Sequence, residues 1–223
     1  MENEERAAKL LMEALDALAT LSTYRCVIHS QDRIRGKLLP PETIQSCFAS
    51  PGSVYLRWLP GPHKGLQASH VPDRDGPGKF MARETGLKGL VGALTWSNDS
   101  PIIDNLYPHN FRAHETSIHF LVRLARDISA KARAAGTFRV PIVRDETDTF
   151  LKRPATLVVT ELSSDPKDGL RWPKTEFWFD HETRLPLHHK LHDFDGALYG
   201  EYAFMELEAG VKLPADAFEL KKL

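Results

Sequence analysis

The stretch from Lys174 to Leu207 constrains the fold of this chain more than any other, because its hydrophobic period is two almost throughout. Glu176-Phe177-Trp178-Phe179 is a dense aromatic strand, ended by the polar turn Asp180-His181-Glu182-Thr183-Arg184. Leu185, Leu187, His189 and Leu191 then alternate with Pro186, His188, Lys190 and His192, the pattern of a strand with one buried face. Asp195-Gly196 offers the positive-φ pair of a tight type I′ turn, and Gly200-Glu201-Tyr202-Ala203-Phe204 returns beside the preceding strand. The segment reads as an antiparallel meander and excludes a helix pair.

The rest of the chain extends the same pattern. Residues 4–20 form a helix with Ala7, Leu10, Leu11, Ala14 and Leu18 on one stripe and Glu4 and Glu5 at its positive end. From Ser22 the period switches to two, with Tyr24, Cys26 and Ile28 on one face and Arg25, His29, Gln31 and Arg33 on the other. Thr43–Ala49, Ser53–Leu59, Leu66–Val71, Lys79–Arg83 and Leu90–Trp96 follow as strands, so that 22–96 is a run of strands without helices. Ser97–His114 is irregular. Residues 115–135 form a second helix, with Ile118, Leu121, Val122, Ala125, Ile128 and Ala132 on its apolar stripe and Gly136 as its stop. Strands resume over 137–207, with Phe138–Val143 and Ala155–Leu162 ahead of the hairpins, and 208–223 is a packed tail anchored by Val211, Leu213 and Phe218. About ten strands and two helices, without βαβ alternation, make an α+β fold in one domain, 1–223, and exclude a Rossmann-type sheet.

Composition narrows the function classes. A net charge of −1, with no run of Lys and Arg interleaved with aromatics, argues against a nucleic-acid partner. No stretch reaches the roughly 18 apolar residues of a membrane span. The acidic start Met1-Glu2-Asn3-Glu4-Glu5 is unlike a secretory signal, so the chain is periplasmic or secreted if a signal has been removed, and cytoplasmic if Met1 is the native start. There is no G-x-S-x-G elbow, P-loop or G-x-G-x-x-G. Cys26 and Cys47 lie on consecutive strands. A tight turn at Gly36-Lys37 would set them opposite each other for a disulfide, whereas a longer connection through Pro40-Pro41 would leave two unconnected thiols.

Two histidine groups invite a metal reading and do not sustain it. In His114-Glu115-Thr116-Ser117-Ile118-His119 the spacing is i, i+5, which swings the second imidazole about 140° from the first and puts His119 on the helix surface. His188 and His192 share a strand face but sit about 13 Å apart, on what reads as a solvated face. His189 falls in the apolar register, where a neutral imidazole can form part of a cavity wall. No metal ligand set and no cofactor motif emerges.

Tyr24-Arg25-Cys26, Asp32-Arg33-Ile34-Arg35-Gly36 and Ser53-Val54-Tyr55-Leu56-Arg57-Trp58-Leu59 resemble the front of a bacterial envelope family known only as a domain of unknown function. Phe177-Trp178-Phe179-Asp180, Thr183-Arg184-Leu185-Pro186-Leu187, Tyr202-Ala203-Phe204 and Leu213-Pro214-Ala215-Asp216-Ala217-Phe218 resemble the LolA-like superfamily of lipoprotein carriers and periplasmic sensors. The resemblance implies a half-barrel: a strongly curved antiparallel sheet with helices covering its concave side around an apolar cavity. It implies a non-catalytic envelope protein that binds a lipid, an acylated protein or another hydrophobic ligand. A protein-interaction or stress-sensor module of the same fold is the alternative, and a small-molecule enzyme using the cavity a further one. Candidate wall residues are Tyr55, Trp58, Trp96, Phe177, Phe179, Leu187, His189, Leu191, Tyr202 and Phe204, which either line a pocket or fill a core. Arg33, Arg35 and Arg57 are the candidates for an anionic headgroup.

Overall fold

The structure, a computed structural model, describes residues 2–76, 78–86, 92–101, 109–162, 167 and 172–221. Helix α1 (Glu2–Thr20) leads into β1 (Thr23–Ile34), the tiny β2 (Lys37–Leu38), β3 (Glu42–Ala49), β4 (Ser53–Trp58) and β5 (Gln67–His70). A single helical turn, α2 (Pro72–Asp75), precedes β6 (Lys79–Arg83) and β7 (Leu94–Ser97). A 3-10 turn (Ala113–Glu115) and helix α3 (Ile118–Ala134) separate these from β8 (Ile142–Asp148), β9 (Arg153–Glu161), β10 (Lys174–Asp180), β11 (Pro186–His192) and β12 (Leu198–Ala209).

The twelve strands form one open antiparallel sheet in the order β7-β6-β5-β4-β3-β1-β12-β11-β10-β9-β8, with β2 paired to β1 alone. Two meanders are thus joined where β1 pairs with β12, Ile28 opposite Phe204 and Ser30 opposite Tyr202. This is the curved half-barrel of an α+β fold, with α1 and α3 packed on its concave side. Their buried residues, Ala14 and Leu18 from α1 and Ile118, Leu121, Val122 and Ala125 from α3, share one core with the inward side chains of both meanders. The start of α3 is tied to the sheet: Ser117 Oγ accepts from Phe120 N, and the buried Tyr24 hydroxyl accepts from Ile118 N at 2.9 Å.

Several expectations need correction. Arg35 and Gly36 both have positive φ, so the type I′ turn lies there, Ile34 facing Lys37, one residue earlier than Gly36-Lys37. The connection through Pro40-Pro41 then carries one further residue, so Cys26 faces Ser46 and Cys47 faces Arg25, as expected for the longer connection; the two thiols point to opposite faces and both are free. At the far hairpin only Gly196 has positive φ, and Asp193 N bonds Ala197 O, so a three-residue loop replaces the type I′ turn. Its shape is held by Asp193 Oδ1, which accepts from Asp195 N and Ala197 N. The strand expected at Phe138–Val143 runs from Ile142 instead. Gly136, at φ +71°, closes α3, Thr137 N and Phe138 N bond back to Ala132 O, and Phe138 packs on Ala132 and Leu162. The strand expected from Leu90 is observed over Leu94–Ser97, Leu90 and Val91 lying outside the described residues, as does 102–108 of the irregular segment.

The tail lies across the convex side of β5. Gln67 exchanges hydrogen bonds with Lys221 N and O, and Ser69 Oγ donates to Phe218 O. That contact explains why all four residues of β5 are buried when the alternation of a one-sided strand would bury two.

Candidate functional site

The inward faces of β1, β3, β4, β5 and β6 supply Ile28, Ile44, Leu56, Trp58, Ala68 and Phe80 to one wall of a partly open cavity of about 90 Å³. His189, Tyr202 and Phe204, from β11 and β12, supply the other. Phe111, Ala113 and Thr116 from the segment leading into α3, and Phe120 and Leu121 from its first turn, roof it. Phe111 seats this roof, its ring 5.0 Å from that of Tyr202 and 5.7 Å from that of Trp172. The wall is apolar for a simple reason: strand parity sends every second residue inward, and in the middle of these five strands that residue is aliphatic or aromatic.

At one end the parity continues but the chemistry changes. On β1 the inward series Tyr24, Cys26, Ile28 runs on to Ser30 and Asp32, both buried. Burial costs the Asp32 carboxylate its water, and four donors replace it. Tyr202 hydroxyl bonds Oδ1, Asn110 N reaches the same oxygen at 3.4 Å, and Oδ2 receives Ser30 Oγ at 3.3 Å and His109 Nδ1 at 3.1 Å. Asn110 also donates to Tyr199 O and to the Tyr202 hydroxyl, which pins the roof segment to β12. Burial works against both charges of the Asp32–His109 pair, but their mutual hydrogen bond and attraction prevail: the Asp32 pKa is held below its usual value and that of His109 above it.

Glu42, the inward residue at the start of β3, lies beside this pair. Its Oε1 is 2.6 Å from His63 Nδ1, and its Oε2 accepts from Trp58 Nε1 at 3.1 Å. His109 Nε2 is 3.5 Å from the same Oε2, within ion-pair range but without a hydrogen bond. Burial raises the Glu42 pKa and the two imidazoles lower it, with a net fall. Outside this cluster lies a polar cleft of about 850 Å³, bordered by Arg33, Arg35, Asn98, Asp99, Arg112, His114, Glu115 and Asp193. His109 borders both spaces, so the cluster stands at the junction of an apolar interior and a polar mouth.

Of the candidate wall residues, Trp58, His189, Tyr202 and Phe204 line the cavity. Phe177, Phe179 and Leu187 lie in the core behind it, and Trp96 packs on the edge of that core. Leu191 joins Trp172 and Tyr202 in a neighbouring cluster. Tyr55 has the opposite parity from Trp58 and donates from the convex side to Gln67 Oε1. Arg33 and Arg35 border the cleft, Arg33 bonded to Leu198 O and Gly36 O; Arg57, on the parity of Tyr55, does not.

His119 is buried, its ring 4.2 Å from Phe48 and stacked also on Tyr24, so the surface position read from spacing is wrong. His188 is likewise not solvated: its ring stacks 4.3 Å from Trp178, Nδ1 meets Asp148 at 3.0 Å and Nε2 meets Glu201 at 3.0 Å. Burial pulls the His188 pKa down, but the two carboxylates outweigh it and leave it raised. No spacing in the sequence groups Asp32, Glu42, His63 and His109. The only hint is that Asp32 occupies an inward position of a strand whose other inward residues are mostly apolar.

A family model spans residues 21–222, nearly the whole chain. The chain belongs to the DUF1571 family. That family is described as proteins of unknown function. No curated protein matches the sequence. Solved structures do match this DUF1571 chain in shape. An uncharacterized conserved protein from Thermus thermophilus is 8% identical over 97% of this chain and 94% of its own, with a TM-score of 0.51. The Mycobacterium tuberculosis lipoprotein LppX is 9% identical over 93% of this chain and 99% of its own, at 0.50. A LolA superfamily protein from Nitrosomonas europaea is 10% identical over 95% and 96%, at 0.39. The likeness to the Thermus protein and to LppX is one of fold.

Proposed function

We propose that this DUF1571 protein is a non-catalytic envelope protein that holds an apolar ligand, the acyl chain of a lipid or of an acylated protein, between its half-barrel and the α3 roof. The observation that carries the reading is the aromatic- and aliphatic-walled cavity beside a cleft that Arg33, Arg35 and Arg112 border. An acyl chain fits such walls, and the arginines suit an anionic headgroup at the mouth. At about 90 Å³ the cavity holds roughly three groups of the ~30 Å³ a water occupies. A full chain therefore enters by lifting the roof that Phe111 and Asn110 hold down. The half-barrel likeness to the lipoprotein LppX suits an envelope location. His189 acts as wall and not as proton carrier: burial and the neighbouring His188 charge pull its pKa down to about 3, so it is neutral and weakly basic.

The test is native mass spectrometry of gently purified protein, followed by organic extraction. A discrete added mass that extracts as lipid, or uptake of a fluorescent fatty-acid probe displaced by that lipid, is expected. Bare protein that takes up no probe overturns the reading. One observation favours a second reading, recognition of an extended partner segment: β8 is a sheet edge, with Ile142 56% and nearby Val140 59% exposed. Under that reading Ile142→Arg abolishes binding of the partner while the fatty-acid probe finds no site.

A further inference from the structure

We propose that Glu42, His63 and His109 form a site for one divalent transition-metal ion, Zn²⁺ by the donor set, at the junction of the cavity and the cleft. One oxygen of Glu42 and one nitrogen from each histidine lie within 4.8 Å of one another. Ligands about 2.0–2.1 Å from a tetrahedral zinc are about 3.3 Å apart. The 3.5 Å between His109 Nε2 and Glu42 Oε2 already matches that spacing, and His63, on the loop after β4, needs only a small ring movement. Two imidazoles and one carboxylate leave the fourth position open, as zinc sites that take an exchangeable ligand do.

The orientation of His109 points the same way. Its Nδ1 faces Asp32 Oδ2 at 3.1 Å, an acceptor, so the proton sits on that side. In the neutral imidazole Nε2 then presents a lone pair toward the Glu42 carboxylate, and it is a buried nitrogen with no hydrogen bond among the described residues. The 3.5 Å gap between Nε2 and Oε2 takes a positive charge in either of two forms, the second proton of an imidazolium or a metal ion that displaces it, and the metal is the form that also engages His63. Asp32 meanwhile stands where a carboxylate behind a ligating histidine fixes tautomer and ring orientation, and it is held in turn by Tyr202 and Asn110. The open position lies where a bound ligand's headgroup would sit, so the ion would anchor a carboxylate or phosphate there without any chemistry on it.

The test uses delipidated, chelator-treated full-length protein titrated with Zn²⁺ by calorimetry, with metal content counted after dialysis. One ion per chain is expected, with a rise in thermal midpoint that chelator reverses. His63→Ala, at a partly exposed loop position, should keep the fold and weaken Zn²⁺ at least tenfold; Asp32→Asn should weaken it about 10- to 100-fold. His181→Ala, at an exposed histidine outside the cluster, should leave binding unchanged. In the native protein, imidazole ¹⁵N signals of His109 should report a proton on Nδ1 and a metal-induced shift at Nε2. No retained zinc, zinc retained equally by His63→Ala, or a His109 imidazolium whose signals ignore Zn²⁺ would each overturn the proposal. The apolar-ligand reading is judged separately, by extracted lipid and probe uptake in metal-free protein.

Discussion

His189 stacks on Phe177 at 5.6 Å and Tyr202 at 4.9 Å, and its buried Nδ1 has no hydrogen-bond partner among the described residues. The folded protein therefore resists protonating it, with a pKa of about 3 against 6.5 for the free side chain. Because the folded value is the lower one, the unfolded chain takes up the proton first as pH falls. The contribution to stability is whole above pH 6.5 and is lost progressively toward pH 3. From pH 6.5 to 5 this single group costs about 2 kcal/mol at ~1.4 kcal/mol per unit. His189→Phe, which keeps an aromatic ring in the stack, should be neutral or stabilising at pH 7 and should gain on the native protein by that amount at pH 5. Urea unfolding at the two pH values measures it; parallel profiles would mean the imidazole reaches water in the folded state. Parity made the position of His189 legible in the sequence, and the same parity put His188 on the opposite face. The partners of His188 were not legible, since Asp148 arrives from the end of the distant strand β8 and Phe150 from the turn after it, Phe150 5.2 Å from its ring.

At the scale of elements, alternation located nearly every strand, whereas register depended on turns that alternation does not encode. Ile34 pairs with Lys37 but Ser30 pairs with Glu42, so one extra residue lies in the connection at Pro40-Pro41; that single step separates Cys26 from Cys47, because it flips the side chains of β3 to the other face. The cluster of Asp32, Glu42, His63 and His109 was illegible for a related reason: its members lie on β1, β3 and two loops, brought together by topology and by no local spacing. Gly200 on β12 shows how one position serves it. The Tyr202 ring folds back over Gly200 to reach Asp32, and a Cβ at residue 200 would lie 2.6 Å from the ring carbon Cε2. Gly200→Ala should destabilise the protein by about 1–3 kcal/mol, the cost of overpacking a buried site. In a Tyr202→Ala background the same change should be neutral or favourable by about 0.5–1 kcal/mol, since alanine suits a strand better than glycine. Thermal and urea unfolding of the four proteins close the cycle. An unchanged cost in the double variant would mean that something other than the ring opposes the methyl.

For the whole molecule, the open half-barrel creates a concave surface that two helices cannot fill. The shortfall appears as the void beneath Phe111 and Phe120, beside a main core otherwise continuous from α1 to β9. An unfilled apolar void costs stability, so filling it is the test of its presence. Ala68 faces it from the middle of β5, flanked by Leu56 and Ala82, and is buried. Leucine at residue 68 adds three carbon groups, comparable at about 30 Å³ each with the roughly 90 Å³ of the cavity. Ala68→Leu should therefore raise stability by about 0.5–2 kcal/mol in urea unfolding, as cavity-filling changes do. The same protein should lose the fatty-acid probe, because the chain's seat is taken. Stability and binding then move in opposite directions from one substitution, which a general perturbation of folding would not produce. A stabilised protein that still binds the probe would put the ligand outside the half-barrel, and a destabilised one would mean the space beside Ala68 is already packed.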